Sequence, residues 1–128
     1  MRSTVDRITE SLTDDHGFVY RYHADDGLPG NEGTFTICTF WLVDNLAMQG
    51  RVAEARSLFE RLLSYAGQLG LFSEEIGTNG TKALGNYPQA FTHIALINSA
   101  YNLKKAELRQ AEHLTDPVIA AIRLQGMN

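Results

Sequence analysis

Two adjacent glutamates, Glu74 and Glu75, are the side chains of this 128-residue sequence best placed to do acid–base chemistry. They follow the apolar residues Leu71 and Phe72, at a point where the helical hydrophobic pattern has stopped. A carboxylate at the mouth of a helical core can act as a general base towards water if its neighbours hold it in place. The alternative is that the pair is a solvated helix end, and the residues alone favour that simpler interpretation.

A second candidate group surrounds Arg21, which stands between Tyr20 and Tyr22. This arginine can either grip a polyol substrate or pair with the nearby carboxylates of Asp25 and Asp26. The residue types and spacing leave both interpretations open.

Other site chemistries are not expected from this sequence. The four histidines lack the spacing of a helical zinc site, and one cysteine cannot build a structural zinc site. Cys38 lies in an apolar helical pattern, where a thiol behaves as a small hydrophobic group. The loop at residues 27–30 lacks the strand, helix and following lysine of a phosphate loop. We therefore predict no metal and no cofactor.

Composition points to one globular domain over residues 1–128. Apolar residues make up 44% of the chain, and fifteen acidic against eleven basic residues give a net charge of −4. That charge argues against nucleic acid or an anionic membrane as a partner. The N-terminus lacks the apolar core of a secretory signal, and the most apolar run, residues 35–43, is too short to span a membrane. A single cysteine fits a reducing compartment, so a cytoplasmic location is predicted.

Hydrophobic spacing predicts a helical framework around these groups. Val5, Ile8 and Leu12 mark a first helix, with Ser3 or Thr4 as its N-cap. A second helix is predicted over residues 34–48, ended by a glycine at position 50, and a third over residues 52–66. The short connection between the second and third helices predicts an antiparallel hairpin.

Two stretches rich in loop-forming residues, 24–33 and 71–85, interrupt the helices, and the first can equally serve a site or only turn a corner. Residues 18–22 form a short β-prone run. Pro88 predicts a further helix starting near Asn86, its expected cap. An amphipathic portion follows at residues 104–114, and Pro117 starts a short terminal helix. The predicted class is all-α.

An ordered set of motifs resembles the C-terminal part of family 15 glycoside hydrolases, which include glucoamylases, glucodextranases and bacterial trehalases. The likeness extends from about residue 4 to about residue 103. The motifs are Arg-Tyr at 21–22, Asp-Gly-Leu-Pro-Gly at 26–30, Glu-Gly-Thr-Phe at 32–35, Cys-Thr-Phe-Trp-Leu-Val-Asp at 38–44, Ser-Glu-Glu at 73–75 and Leu-Gly-Asn-Tyr-Pro-Gln-Ala-Phe-Thr-His at 84–93.

The resemblance implies helical hairpins that form part of an incomplete (α/α)6 barrel. It also implies hydrolysis of α-glucosidic bonds with inversion, by two glutamates without a metal. The family's general base is the first glutamate of the Ser-Glu-Glu motif, here Glu74, with Glu75 as a supporting residue. Arg21 takes the position of a sugar-binding arginine, and Tyr22 and Asp25 lie beside it as further substrate-binding candidates.

Two departures from the family pattern bear on activity. Many relatives follow the two glutamates with Tyr-Asp, where this sequence has Ile76 and Gly77. The family's general acid lies well upstream of the region that this sequence resembles. The chain is therefore expected to act on an α-glucoside (a malto-oligosaccharide, a dextran-type glucan or trehalose) only with the rest of the barrel.

A non-catalytic helical remnant or interaction module is the alternative interpretation. Helix faces that other hairpins would cover are expected to leave apolar surface around Trp41, Phe59 and Phe91, and such surface favours self-association. Trp41 and Phe40 themselves are expected to pack in the barrel core rather than stack on a sugar.

Overall fold

Helices dominate the part of the chain that the structure, a computed structural model, describes: residues 3–22, 33–78, 80 and 82–115. The elements in order are α1 (Thr4–Leu12), β1 (Thr34–Phe35), α2 (Thr36–Met48), α3 (Val52–Leu63), β2 (Glu75–Ile76), β3 (Ala83–Leu84) and α4 (Ala90–Thr115). The mostly helical fold agrees with the prediction, and a small sheet is added to it. The predicted terminal helix at Pro117 and the first predicted loop, up to residue 32, lie outside the described residues.

Helix α1 begins at a reciprocal cap. Ser3 Oγ accepts a hydrogen bond from the backbone N–H of Asp6 (3.2 Å), and the Asp6 carboxylate accepts one from the backbone N–H of Ser3 (3.3 Å). This capping box satisfies two backbone donors that the first helical turn leaves free. The prediction of Ser3 as N-cap is confirmed.

The β-prone run that follows α1 forms one isolated bridge, between Thr13 and Val19, instead of a strand. Phe18 and Val19 are both buried, and the Val19 carbonyl accepts from the backbone N–H of Phe35 (2.9 Å). The run therefore connects the end of α1 to β1 rather than extending the sheet.

Helices α2 and α3 form the predicted hairpin, and the connection is a Schellman turn. The N–H of Arg51 donates to Leu46 O (2.9 Å) and the N–H of Gly50 to Ala47 O (3.1 Å). Gly50 has φ +77°, a left-handed conformation that glycine adopts without steric cost. Helix α2 starts at Thr36 rather than at the predicted Thr34, because Thr34 and Phe35 pair with β2.

Helix α4 is one continuous helix where the hydrophobic pattern predicted two. Leu103, at the predicted break, is 1% exposed and packs in the core. Ser99 Oγ donates to Phe40 O (2.9 Å), which ties α4 to α2. The start at Ala90 is later than predicted, because the segment before it runs beside residues 72–74. None of the described helices is both long and apolar enough to cross a membrane.

The core is built around Phe40, whose ring meets Phe59 and Phe72 edge-on at 6.0 and 5.6 Å between centroids. Phe40 and Phe59 are buried, so the expected exposure of Phe59 is wrong. Trp41 is 53% exposed, and the expected exposed apolar surface is present at Trp41 and Phe91. The place of Trp41 in the core of the complete barrel stays a prediction.

Candidate active site

Glu74 lies in a bend directly before β2, and the backbone on both sides fixes it. Its N–H donates to Asn86 O (3.0 Å), and its carbonyl oxygen accepts from the N–H of Thr36 (3.0 Å). Thr36 is the first residue of α2 and Asn86 follows β3, so Glu74 joins three segments. The residue is half-buried. This is not the solvated helix end that the residues alone favoured.

The Glu74 carboxylate is held through one of its two oxygens. Oε2 accepts hydrogen bonds from the backbone N–H and from the side-chain amide of Asn86, each at 3.0 Å. Within the described part of the chain, no group donates to the other oxygen, Oε1. The prediction that Asn86 caps the next helix is wrong: its side chain turns to Glu74, and α4 begins four residues later. Residue types alone did not indicate this role.

Gly85 gives the carboxylate the space it occupies. A Cβ at this position would lie 2.7 Å from Glu74 Oε2 and 2.9 Å from Glu74 Cβ, closer than real Cβ contacts. Its φ of +68° also favours glycine. The backbone conformation and the closeness of Glu74 therefore both favour glycine at position 85.

The loop before Glu74 is held by the start of α4. The N–H of Gln89 donates to Phe72 O (3.0 Å), and buried Thr92 donates through Oγ1 to Ser73 O (3.3 Å). His93 Nδ1 lies 2.7 Å from Gln89 O, and His93 Nε2 accepts from the N–H of Phe72 (3.3 Å). Both contacts are satisfied by the neutral imidazole with its proton on Nδ1. His93 thus supports the loop.

Glu75 has a different environment from its neighbour. Its Oε2 accepts from the N–H of Gly33 (3.1 Å), and its backbone pairs with Phe35 on β1 and Leu84 on β3. Ser73 Oγ donates to Glu75 O (2.7 Å). Glu75 therefore ties the start of β1 to the loop, a supporting position beside Glu74.

The Arg21 guanidinium lies over two aromatic rings, those of Tyr22 and of the β1 residue Phe35. Its guanidinium carbon lies 5.8 Å from the Tyr22 ring centroid and 5.5 Å from that of Phe35, within the range of cation–π attraction. Phe35 is directly opposite Glu75 in the β1–β2 register. Strand β1 thus links the Arg21 and Tyr22 group to the two glutamates. Asp25 lies outside the described residues.

A cavity of about 350 Å³ opens between α1 and α2 beside Arg21. It is mostly apolar and includes Trp41 and Cys38 in its lining. Burial raises the pKa of the Cys38 thiol, and the positive charge of Arg21 opposes this with a smaller effect. The thiol is thus less prone to form the nucleophilic thiolate. Among the described residues, no three His, Cys, Asp or Glu side chains lie together as a metal site.

Comparison with known proteins finds one family model and a set of trehalases that match this chain. Residues 1–101 match the sequence model of glycosyl hydrolases family 15. The chain is 52% identical over 110 residues to the trehalase of Mycolicibacterium smegmatis and 53% identical over 110 residues to that of Mycobacterium tuberculosis, which is 84% of this chain and 16% of each relative. The trehalase of Thermoplasma volcanium is 40% identical over 111 residues, 87% of this chain and 18% of that protein. No solved structure matches.

The described part of the chain is a helical hairpin packed on a third long helix, with a small sheet and the Glu74 loop beside it. The chain belongs to glycosyl hydrolase family 15. The resemblance found in the motifs is confirmed, and membership implies that these helices are part of an incomplete (α/α)6 barrel. The chain spans only 16–19% of the length of four curated trehalases that it matches.

Proposed function

We propose that this chain forms the part of an α-glucoside hydrolase that carries the general base, and that Glu74 is the base. The observation that carries the proposal is the asymmetry of the Glu74 carboxylate. Asn86 holds Oε2 by two hydrogen bonds, while Oε1 receives none from the described residues. A carboxylate fixed in direction with one open oxygen is suited to accept a proton from a bound water.

The reaction proceeds with inversion. Oε1 of Glu74 takes a proton from water as the water oxygen bonds to the anomeric carbon. The bond from that carbon to the glycosidic oxygen breaks, and the leaving oxygen receives a proton from a separate carboxylic acid. The two carboxyl groups of an inverting enzyme stand about 6.5–9.5 Å apart to leave room for the water.

We place the proton donor on polypeptide outside this 128-residue sequence. Glu10 and Glu60 are exposed on amphipathic helices, α1 and α3, and neither belongs to the loop that carries Glu74. The segments matched by this chain cover 16–19% of the relatives' length, and the rest of those proteins can supply the acid, which supports the same assignment. We accordingly expect no hydrolysis by the 128-residue chain alone.

Trehalose is the α-glucoside that we propose as substrate, because the three relatives compared above are named trehalases. Arg21 is the proposed sugar-binding cation: its guanidinium offers several donors to hydroxyl oxygens and is held by two aromatic rings. Tyr22 and Asp25 bind beside it. Glu75 supports the loop.

The proposed partner is the remainder of the barrel, with residues 1–128 as one unit of it in the cytoplasm. Helix α4 supports this, because it exposes large apolar side chains at helical spacing. A contiguous apolar face of this kind marks an interaction surface. Its residues are Phe91, Ile94, Ile97, Tyr101 and Leu108.

A chimeric enzyme tests the proposal. Residues of this chain replace the matched 110 residues of the M. smegmatis trehalase, and trehalose hydrolysis is measured. We expect the chimera to be active and Glu74→Gln to lower kcat by about 10²–10⁴-fold, as loss of a general base does. The matched control is Glu60→Gln, an exposed residue on α3, which leaves kcat unchanged. Full activity of the Glu74→Gln chimera contradicts the assignment.

Azide separates loss of the base from loss of folding. In a Glu74→Ala chimera, azide can replace water, because it attacks the anomeric carbon without having to lose a proton. A carbon–nitrogen bond forms, the glycosidic carbon–oxygen bond breaks, and the general acid protonates the leaving oxygen. We expect a β-glucosyl azide and recovered turnover. No recovery in a folded chimera contradicts the role of Glu74.

A non-catalytic interaction module is the second candidate function, and the apolar face of α4 favours it. In that case the exposed face would pair with a second copy of the chain. Light scattering after size-exclusion chromatography would then find a dimer of the 128-residue chain, and the native chimera would not hydrolyse trehalose. An active chimera that depends on Glu74 excludes this candidate.

A further inference from the structure

We propose that Gly85 and Asn86 form a positioning device that orients the Glu74 carboxylate and leaves Oε1 alone for the reacting water. This inference rests on the proposed role of Glu74 as the general base. Asn86 would act through Glu74, as a positioning residue.

Two hydrogen bonds from Asn86 fix the direction of the Glu74 carboxylate. Two donors of one residue, the backbone N–H and the side-chain amide of Asn86, converge on Glu74 Oε2, each at 3.0 Å. A carboxylate oxygen offers about two lone-pair sites, so these donors occupy Oε2. A partial rotation of the carboxylate would weaken both bonds, and a half-turn only exchanges two equivalent oxygens, so one oxygen stays held by Asn86 and the other, here Oε1, stays open. The proton from water is therefore directed to Oε1.

A backbone hydrogen bond also joins Glu74 to Asn86. The N–H of Glu74 donates to Asn86 O at 3.0 Å, which is a third hydrogen bond between the same two residues. The base and its positioning residue thus move together. Hydrogen bonds from Gln89 and Thr92 to Phe72 and Ser73 then fix this unit to the start of α4.

Gly85 leaves the space that the Glu74 carboxylate occupies. A Cβ there would come within 2.7 Å of Glu74 Oε2, the oxygen that Asn86 holds. Any larger residue would push the carboxylate away from both donors. The glycine and the asparagine are therefore two halves of one arrangement, one leaving space for Oε2 and the other binding it.

Substitutions in the trehalase chimera test the device. Asn86→Asp keeps the side-chain shape but replaces the amide donor with a carboxylate facing Glu74. We expect kcat to fall by about 10–100-fold with KM within about threefold of the native value, as for loss of an interaction made in the transition state. Asn86→Ala keeps the backbone donor and is expected to lose less. Gln49→Glu, at the exposed C-terminal end of α2, makes the same change of amide to carboxylate away from Glu74, so it is the matched control and leaves both constants unchanged.

Gly85→Ala has its own matched control in Gly70→Ala. The two glycines have φ of +68° and +70°, but a Cβ at Gly70 meets nothing within 4 Å. Both substitutions place an alanine at a similar positive φ, but only the Cβ of Gly85→Ala meets Glu74. We expect kcat to fall for Gly85→Ala by at least about tenfold more than for Gly70→Ala. Equal effects of the two substitutions overturn the steric half of the proposal.

Amide hydrogen exchange in the 128-residue chain gives a readout that does not depend on activity. The side-chain amide of Asn86 should exchange more slowly than that of exposed Asn98, and Glu74→Ala should remove the difference. An inactive native chimera would contradict the proposed function, and slow Asn86 exchange would still support the hydrogen-bonded pair. An active chimera in which Asn86→Asp has the same kcat as Gln49→Glu overturns the inference.

Discussion

The backbone N–H of Thr36 donates to the carbonyl oxygen of Glu74 at 3.0 Å, which joins the first residue of α2 to the proposed base. The first N–H groups of a helix have no partner within it, and here Glu74 satisfies one of them. The preceding residue, Phe35, pairs with Glu75 and lies under Arg21. A strand of two residues thus connects both candidate groups.

Arg21 is expected to contribute to substrate binding more than to the chemical step. In the trehalase chimera, Arg21→Ala removes the proposed donors to sugar hydroxyls, and we expect KM for trehalose to rise by about tenfold or more, with a smaller effect on kcat. Arg21→Lys keeps the charge but loses the several donors of the planar guanidinium, so an intermediate KM is expected.

Steady-state kinetics of Arg7→Ala, an exposed arginine on α1, provide the control and should match the native chimera. A KM for Arg21→Ala equal to that of Arg7→Ala would show that Arg21 does not bind the sugar.

Gly33→Ala is expected to destabilise the sheet strongly. A Cβ at this buried position would lie 2.5 Å from Ile76 O and 3.2 Å from the Glu75 carboxylate. Backbone atoms cannot move aside cheaply, so we expect a loss of about 2 kcal/mol in the free energy of unfolding. Urea unfolding of the 128-residue chain measures it. Gly67→Ala, where the closest contact is 3.4 Å to Tyr87 Oη, should change the midpoint little, and equal midpoints for the two variants would contradict the steric argument.

Arg51 makes stability depend on pH. Its guanidinium donates to Asp6 (2.7 Å) and to both oxygens of Glu54 (2.8 and 2.7 Å). The hydrogen bond from Arg51 lowers the pKa of Glu54. The pKa of Asp6 is lowered first by the Ser3 side chain and also by Arg51. The folded state thus favours both ionised carboxylates.

A lowered carboxyl pKa stabilises the fold above the unfolded pKa of about 4, and this contribution is lost as pH falls through the folded pKa. Arg51→Gln should therefore lower Tm by a few degrees near neutral pH, because the pairs are partly exposed, and the difference should vanish in strong acid. Thermal melts across this range measure it, with Arg109→Gln as control. A difference that persists in strong acid would show that Arg51 acts by packing instead.

The apolar face of α4 should respond differently in the isolated chain and in the chimera. Ile97 is 67% exposed, so Ile97→Ala should change the stability of the isolated chain little. If the rest of the barrel covers this face, the same substitution in the chimera should cost about 2–4 kcal/mol.

Leu103→Ala is the comparison. Because Leu103 is already buried in the isolated chain, its substitution should destabilise the isolated chain and the chimera by similar amounts. Unfolding by denaturant measures all four variants. An equally small effect of Ile97→Ala in both proteins would show that the barrel leaves α4 uncovered.

Local interactions explain why much of the helical framework could be predicted. The cap at Ser3 and the turn at Gly50 depend on residues within a few positions, and both are found as expected. Helix α2 is different, because it is apolar on nearly every side and its spacing does not mark one buried face. Phe40 and Trp41 therefore looked equivalent, although the first is buried and the second is exposed.

The sequence by itself determined the family, the helices and the identity of Glu74 as the residue to examine, since motifs and periodicity are properties of residues close along the chain. The tertiary structure decided how that carboxylate is held. Its partner, Asn86, is twelve residues away and looked like a helix cap. Only pairing of β2 with β3 brings the two together, because hydrogen bonds between distant residues depend on how the chain returns and not on residue type.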